Sequence, residues 1–343
     1  MKHVFVTAAL TTAVAMAAAS TASARDLDVA STFPEDMLYL GDALTYFGES
    51  LERVTGGELG VNIHGAGELV PALEVFSAVS QGAIEAGYDW MAYWGGEIPV
   101  ANLAGSLPFG PEPLTFADWM WEGEGMEIIQ GAYDQHNVKV LPCVVVPAEP
   151  AGWFNKEINT PGDFEGLRMR IGGLGGRALA KLGASPQTIA GGEVYVSLDR
   201  GRIDAAEFSL PAIDETLQLN DAADYYYFPG WHQPASFNSV LINMDVWNDF
   251  DETQQDQVTA ACRSTLLWSM TNAIQHQAEA ITRLEEAGVE VRRFPEPVLD
   301  ALREATDEVI AEEMERDETF REAYESLSAH VERADRWYDL QDM

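Results

Sequence analysis

Short apolar runs alternate with amphipathic segments from residue 27 onward, the pattern of an α/β protein with largely parallel sheets. Residues 27–31 and 59–63 read as strands, and 38–54 as a helix ended by Gly56-Gly57. Pro71 opens a helix to about residue 81, because a first helical turn has no amide partner to lose. Periodicity then predicts one long helix over 115–136 and a buried strand over 138–146. The Pro147-Ala148-Glu149-Pro150 break marks a domain crossing, after which strands at 153–158 and 167–171 and a helix at 174–182 resume the alternation. A second crossing falls at 230–236, where Pro229-Gly230 and Pro234 flank an aromatic cluster before a strand at 240–243. Residues 251–287 form a helical pattern long enough to pack along two domains. The last segment, 297–340, is nearly all helix and ends in Trp337-Tyr338. It reads either as a solvated amphipathic face on the second domain or as an arm that clasps a second copy.

The first 24 residues read as an export signal. Lys2 and His3 precede an apolar stretch over 4–19, and Ala22-Ser23-Ala24 fits a small-x-small cleavage site before Arg25. The stretch is shorter than the roughly 20 residues a membrane span needs, so a soluble periplasmic protein is expected. An oxidising compartment would permit a bond between Cys143 and Cys262. One distant pair is no disulfide framework, however, and two small buried apolar side chains are the expected reading.

Composition narrows the function. The 343 residues carry 56 Asp and Glu against 20 Lys and Arg, a formal charge of −36. Such a surface is repelled by phosphate backbones, so nucleic-acid binding is not expected. With 47% hydrophobic residues, the chain can bury a core of two ordinary domains. Lysine is scarce among the basic residues, as in a protein kept soluble at high salt, where self-repulsion is screened.

Catalytic motifs are missing. The chain has no H-E-x-x-H and no G-x-S-x-G, and carboxylate pairs carry no signal in so acidic a chain. His64, His136, His232, His276 and His330 lack metal-ligand spacing and are expected in the core or in solvent. Gly172-Gly173-Leu174-Gly175-Gly176-Arg177-Ala178 contains G-x-G-x-x-A after a strand. Without an N-terminal Rossmann unit it is a weak dinucleotide signal, and what remains is a backbone able to approach a small anion. Leu167-Arg168-Met169-Arg170-Ile171 is more specific: alternation places Arg168 and Arg170 on one face, where a guanidinium can fork a carboxylate.

Several segments carry a resemblance: Gly166 to Gly173, Pro186-Gln187-Thr188-Ile189-Ala190-Gly191-Gly192-Glu193-Val194-Tyr195, Leu198-Asp199-Arg200-Gly201-Arg202-Ile203-Asp204-Ala205-Ala206-Glu207, and Tyr225-Tyr226-Tyr227-Phe228-Pro229-Gly230-Trp231. The chain resembles the DctP-type extracytoplasmic solute-binding subunits of TRAP transporters, within the branch that binds 2-oxo and 2-hydroxy monocarboxylates. The resemblance implies two α/β lobes joined by hinge crossings and a long lobe-spanning helix, with a C-terminal helical extension. It further implies a small organic acid delivered to membrane permease subunits, and no enzymatic step. The expected division is lobe I at 25–146 with 236–272, lobe II at 147–235 with 273–296, and a C-terminal segment at 297–343 as a homodimer arm.

Carried over to this chain, the family's carboxylate-binding arginine is Arg170, with Arg168 as its neighbouring support. A metal ion that chelates the substrate would be held by Glu149, Glu207 and the backbone carbonyl of Phe208. Glu149 stands where the branch has Gln, and Phe208-Ser209-Leu210 where it usually has Trp-Val-Gly. Trp90, Tyr93, Phe208 and Trp231 complete the expected substrate contacts. With Arg170, two carboxylates and a bound monocarboxylate, only a divalent ion balances the buried charge, so Ca²⁺ is expected over Na⁺. A rival within the class is a zwitterionic compatible solute bound without metal, its cation against Glu149 and the faces of Trp90, Tyr93, Trp94 or Trp231.

Overall fold

The computed structural model describes residues 25–341; the export signal expected at 1–24 lies outside the described residues. The strands, in chain order, are β1 (Arg25–Ser31), β2 (Leu59–His64), β3 (Ala86–Trp90), β4 (Val138–Pro147), β5 (Gly152–Phe154), β6 (Arg168–Arg170), β7 (Ser185–Gln187), β8 (Ala205–Ala206), β9 (Tyr225–Phe228), β10 (Ala235–Asn243) and β11 (Glu290–Arg293). They form two sheets, ordered β2-β1-β3-β10-β4 and β11-β9-β5-β8-β6-β7, one in each lobe.

Both sheets are mixed rather than largely parallel. β10 runs antiparallel to β3 and β4, and β5 antiparallel to β8 and β9. The reason lies in the crossings: the chain leaves the first sheet at β4 and returns through β10, so the returning strand runs against its neighbours. All nine residues of β10 are buried, which accounts for their weak polar-apolar alternation.

Residues 147–151 and 229–234 carry the chain between the sheets side by side. The Glu149 amide donates to the Gln233 carbonyl at 3.2 Å and the Ala151 amide to the Tyr227 carbonyl at 2.8 Å. The long helical pattern resolves into Glu252–Asn272 and Gln275–Glu286. Ala273 and Ile274 keep helical dihedrals, so the chain bends there rather than turns.

Two other helices expected as single pieces are also divided. The 115–136 stretch is Pro113–Glu122 followed by Gly125–Asp134, with Gly123 extended at φ −95 and ψ −152. The C-terminal segment is Glu296–Arg316 and Glu318–Tyr338, turned at Asp317, whose carboxylate accepts from the Phe320 amide at 2.7 Å and caps the second helix. It does not sit on the second lobe alone. Its first helix pairs with the helix Gly173–Lys181, through Lys181 to Glu308 at 3.4 Å and Arg177 to the buried Glu313. Its second reaches the first lobe, where the Trp119 indole donates to Ser326 at 3.1 Å and His330 lies 2.9 Å from Asp118.

Cys143 and Cys262 are disulfide-bonded, contrary to the expectation of free thiols, with Cα atoms 4.6 Å apart. Periodicity cannot see this pairing, because it depends on the helix Glu252–Asn272 lying along β4. Among the described residues, no helix is long and apolar enough to cross a membrane.

Candidate functional site

β6 ends at the cleft between the sheets, and there Arg170 is buried to 2% exposure. Its Nη1 donates to the Glu207 side chain at 2.6 Å and to the Glu207 carbonyl at 2.7 Å, and its Nε donates to the Ile189 carbonyl at 3.2 Å. The remaining amino group faces the Tyr93 hydroxyl at 3.5 Å, and the guanidinium carbon stands 5.2 Å from the centroid of the Phe208 ring. Arg170 is thus fixed by one lobe while its free edge points towards the other.

Glu149 enters from the first crossing and is also buried. Gly230 is required opposite it, because a Cβ there would lie 1.6 Å from the Glu149 carbonyl oxygen. The Ser209 hydroxyl donates to one Glu149 oxygen at 3.1 Å, whereas Glu149 Oε2 has no partner. The loop carrying Glu207, Phe208 and Ser209 is held by Asp214, which accepts from the Ser209 amide at 3.2 Å and from Trp153 and Tyr226 at 2.9 Å each. Burial pushes the Asp214 carboxyl up to about 7.

The electrostatics of the two glutamates differ in direction. Burial, reinforced by the charge of Glu207, raises Glu149 well above the ordinary carboxylate range. Burial opposes the charge on Glu207 as well, but Arg170 and His232 outweigh it and hold that carboxyl low. One guanidinium therefore neutralises one carboxylate, and the second lacks a cation. The unpartnered Glu149 Oε2, the Glu207 carboxylate and the Phe208 carbonyl, to which no described residue donates a hydrogen bond, are hard oxygen donors that fit a metal cation.

The cavity at this point has a volume of about 20 Å³. Of the expected site residues, Arg170, Glu149, Glu207, Phe208, Trp90 and Tyr93 line it together. Arg168 does not. It lies at the outer end of the three-residue β6, 44% exposed, and is taken up by Asp204, to which its Nε donates at 2.9 Å. Trp231 is buried against Phe109 and His232, outside the cavity wall, because its backbone turns with the second crossing. Trp94 is likewise core, stacked on Phe76, with its indole donating to Asp89.

Several residues at the site carry no sequence signal. Phe33 and Leu40 supply an apolar corner, and Gln233, Ser236 and Asn238 a polar row, the last two on one face of β10. Asn238 Nδ2 is buried without a partner. His232, expected to be solvated or ordinary core, instead lies with Nε2 3.7 Å from Glu207 Oε2. The glycine-rich turn is closely packed. A Cβ on Gly175 would approach the His232 Cβ to 2.7 Å.

The sequence profile of the family described as bacterial extracellular solute-binding protein, family 7, matches residues 29–317. The chain belongs to this family. This solute-binding protein is 35% identical over 291 residues to a monocarboxylate 2-oxoacid-binding periplasmic protein of Nostoc, covering 85% of this chain and 80% of the relative. A TRAP periplasmic solute-binding protein of Colwellia psychrerythraea, solved with calcium and pyruvate, superposes with a TM-score of 0.88 at 29% identity, covering 93% of this chain and 97% of that one. One from Pseudoalteromonas atlantica, with sodium and pyruvate, gives 0.89 at 29% identity and the same coverage. The two-lobed architecture is therefore that of a TRAP extracytoplasmic solute-binding protein, a receptor and not an enzyme.

Proposed function

We propose that this receptor captures a 2-oxo or 2-hydroxy monocarboxylate between its lobes for ion-gradient-driven uptake through TRAP membrane permease subunits. The observation that carries the reading is the unpartnered, buried Glu149 oxygen beside the Arg170–Glu207 pair. Arg170 binds the ligand carboxylate through its free edge, and Trp90, Tyr93 and Phe208 close around the ligand. Glu149, Glu207 and the Phe208 carbonyl hold Ca²⁺, with Na⁺ as the alternative, and the ion when bound supplies the positive charge that lets both carboxylates ionise. Pyruvate is bound with calcium in one similar structure and with sodium in another, which supports both the ligand class and the ion.

Ligand bridging favours the closed arrangement of the lobes through its differential affinity for that state. We take the lobes as 25–146 with 236–272 and 147–235 with 273–296. Residues 1–24 direct export to the periplasm and are removed. The exposed Trp337, Tyr338 and Leu340 at the end of the C-terminal segment support a homodimer contact there. Metal analysis of the purified mature protein tests the ion assignment: stoichiometric calcium supports it, and absence of a divalent ion from calcium-equilibrated protein overturns it.

A further inference from the structure

Neither ring nitrogen of His232 has a hydrogen-bond partner, although the residue is only 3% exposed. A buried polar group left unpaired is costly, so an imidazole kept in this state points to a missing partner. Its position is fixed from three sides. The His232 carbonyl accepts from the Ser106 hydroxyl at 2.7 Å, the Trp231 ring packs edge-on at 5.7 Å between centroids, and Gly175 admits the Cβ. Held in this way, His232 Nε2 stands 3.7 Å from Glu207 Oε2, and one donor atom from each of Glu149, Glu207 and His232 lies within 4.8 Å of the others.

Donors of one Ca²⁺ at its usual bond lengths can stand up to about 5 Å apart. Around a smaller ion with bonds of about 2.1 Å they can stand only about 4.2 Å apart, which a contraction of roughly half an ångström would reach. Distance therefore permits either ion, and donor chemistry separates them. Imidazole contributes little to Ca²⁺, an oxygen-seeking ion, and suits the transition divalents.

We propose that His232 is a nitrogen ligand of the ion site, so that the centre takes a divalent transition-metal ion more tightly than Ca²⁺. The proposal rests on the reading that an ion sits between Glu149 and Glu207, and it adds the donor that decides which ion. Glu149 and Glu207 supply the charge that any cation requires, and His232 supplies the discrimination.

Mn²⁺ is the probe. Chelator-stripped protein loaded with less than one equivalent of Mn²⁺ is examined by pulsed EPR, which reports directly coordinated nitrogen. The expected spectrum shows ¹⁴N modulation that converts to ¹⁵N in protein grown with ¹⁵N-histidine and disappears in His232→Gln. By calorimetry, Mn²⁺, which accepts the same oxygen donors as Ca²⁺, binds wild type more tightly than Ca²⁺ by what the imidazole adds. His232→Gln lowers the Mn²⁺ affinity by about ten- to a hundredfold and leaves that for Ca²⁺ within about threefold. Mn²⁺ bound at one per chain with an oxygen-only spectrum overturns the proposal and leaves the ion reading intact. Equal weakening of both ions in His232→Gln also overturns it, because that result assigns His232 a structural role. If neither ion binds, the underlying ion reading fails and the proposal with it.

Discussion

Arg170 donates to Glu207 at 2.6 Å with both side chains buried, at 3% and 4% exposure. The pair leaves one edge of the guanidinium towards Tyr93 and leaves Glu149 without a compensating cation. Substitution of Arg170 should therefore act on binding and folding together. Arg170→Ala is expected to lose pyruvate affinity by about 2–5 kcal/mol, and to lower the melting temperature because Glu207 is left as a lone buried charge. Titration and thermal unfolding of the same preparation check this. Normal pyruvate affinity in the variant would remove Arg170 from the site.

Glu149 differs from Arg170 in carrying little of the folding energy. Glu149→Gln keeps an oxygen donor and removes a carboxylate that burial and Glu207 both disfavour, so the ligand-free protein should be as stable or more stable. Ca²⁺ affinity should fall by about tenfold or more, since one full charge is lost from the ion's surroundings. Unchanged Ca²⁺ binding by calorimetry would contradict the role given to Glu149.

The disulfide gives a stability test away from the cleft. Cys143 and Cys262 are 119 residues apart in sequence, and closing so long a loop in the unfolded chain corresponds to about 5 kcal/mol in the chain-entropy account. Replacing both cysteines by alanine should lower stability by about 2–5 kcal/mol in urea unfolding, with the ligand site intact. A variant as stable as wild type would show that the cross-link contributes nothing.

A pH dependence follows from Asp89, which is wholly buried and accepts from the Ser239 hydroxyl at 2.6 Å and from the Trp94 indole. Burial pushes its carboxyl from 3.8 up to about 7. The folded state therefore binds this proton more tightly than the unfolded state does. The contribution is fully present below about pH 4 and is lost as pH rises through about 7, a change on the order of 4 kcal/mol. Asp89→Asn should flatten that part of the curve, so that its stability relative to wild type improves from pH 5 to pH 8. Parallel pH profiles for the two proteins would rule the effect out.

The sequence made the two crossings legible because proline and glycine cluster there, whereas alternation with Leu167, Met169 and Ile171 put Arg168 and Arg170 on one face without separating them, and only the family resemblance singled out Arg170. The break at Gly123 was signalled by Gly123 and Gly125 but masked by an apolar period that continues across it, while those at Ala273 and Asp317 were hidden, since the residues there are tolerated in helices. His232 and Asn238 were hidden for a different reason. The groups they face come from other elements, and only the fold brings β10 and the second crossing up to Glu207 and Tyr93. Arg168 misled because alternation gives a face but not a depth, and three residues of strand are enough to carry the same face from the cleft to solvent.

The central claim is that a metal ion and Arg170 bind the ligand jointly. Calorimetric titration of pyruvate into chelator-stripped mature protein, with and without added Ca²⁺, tests it most directly. The account predicts binding with the ion and at least about tenfold weaker binding without it. Equal affinity in both conditions would contradict it, and would favour a ligand held at Glu149 by its own cationic group.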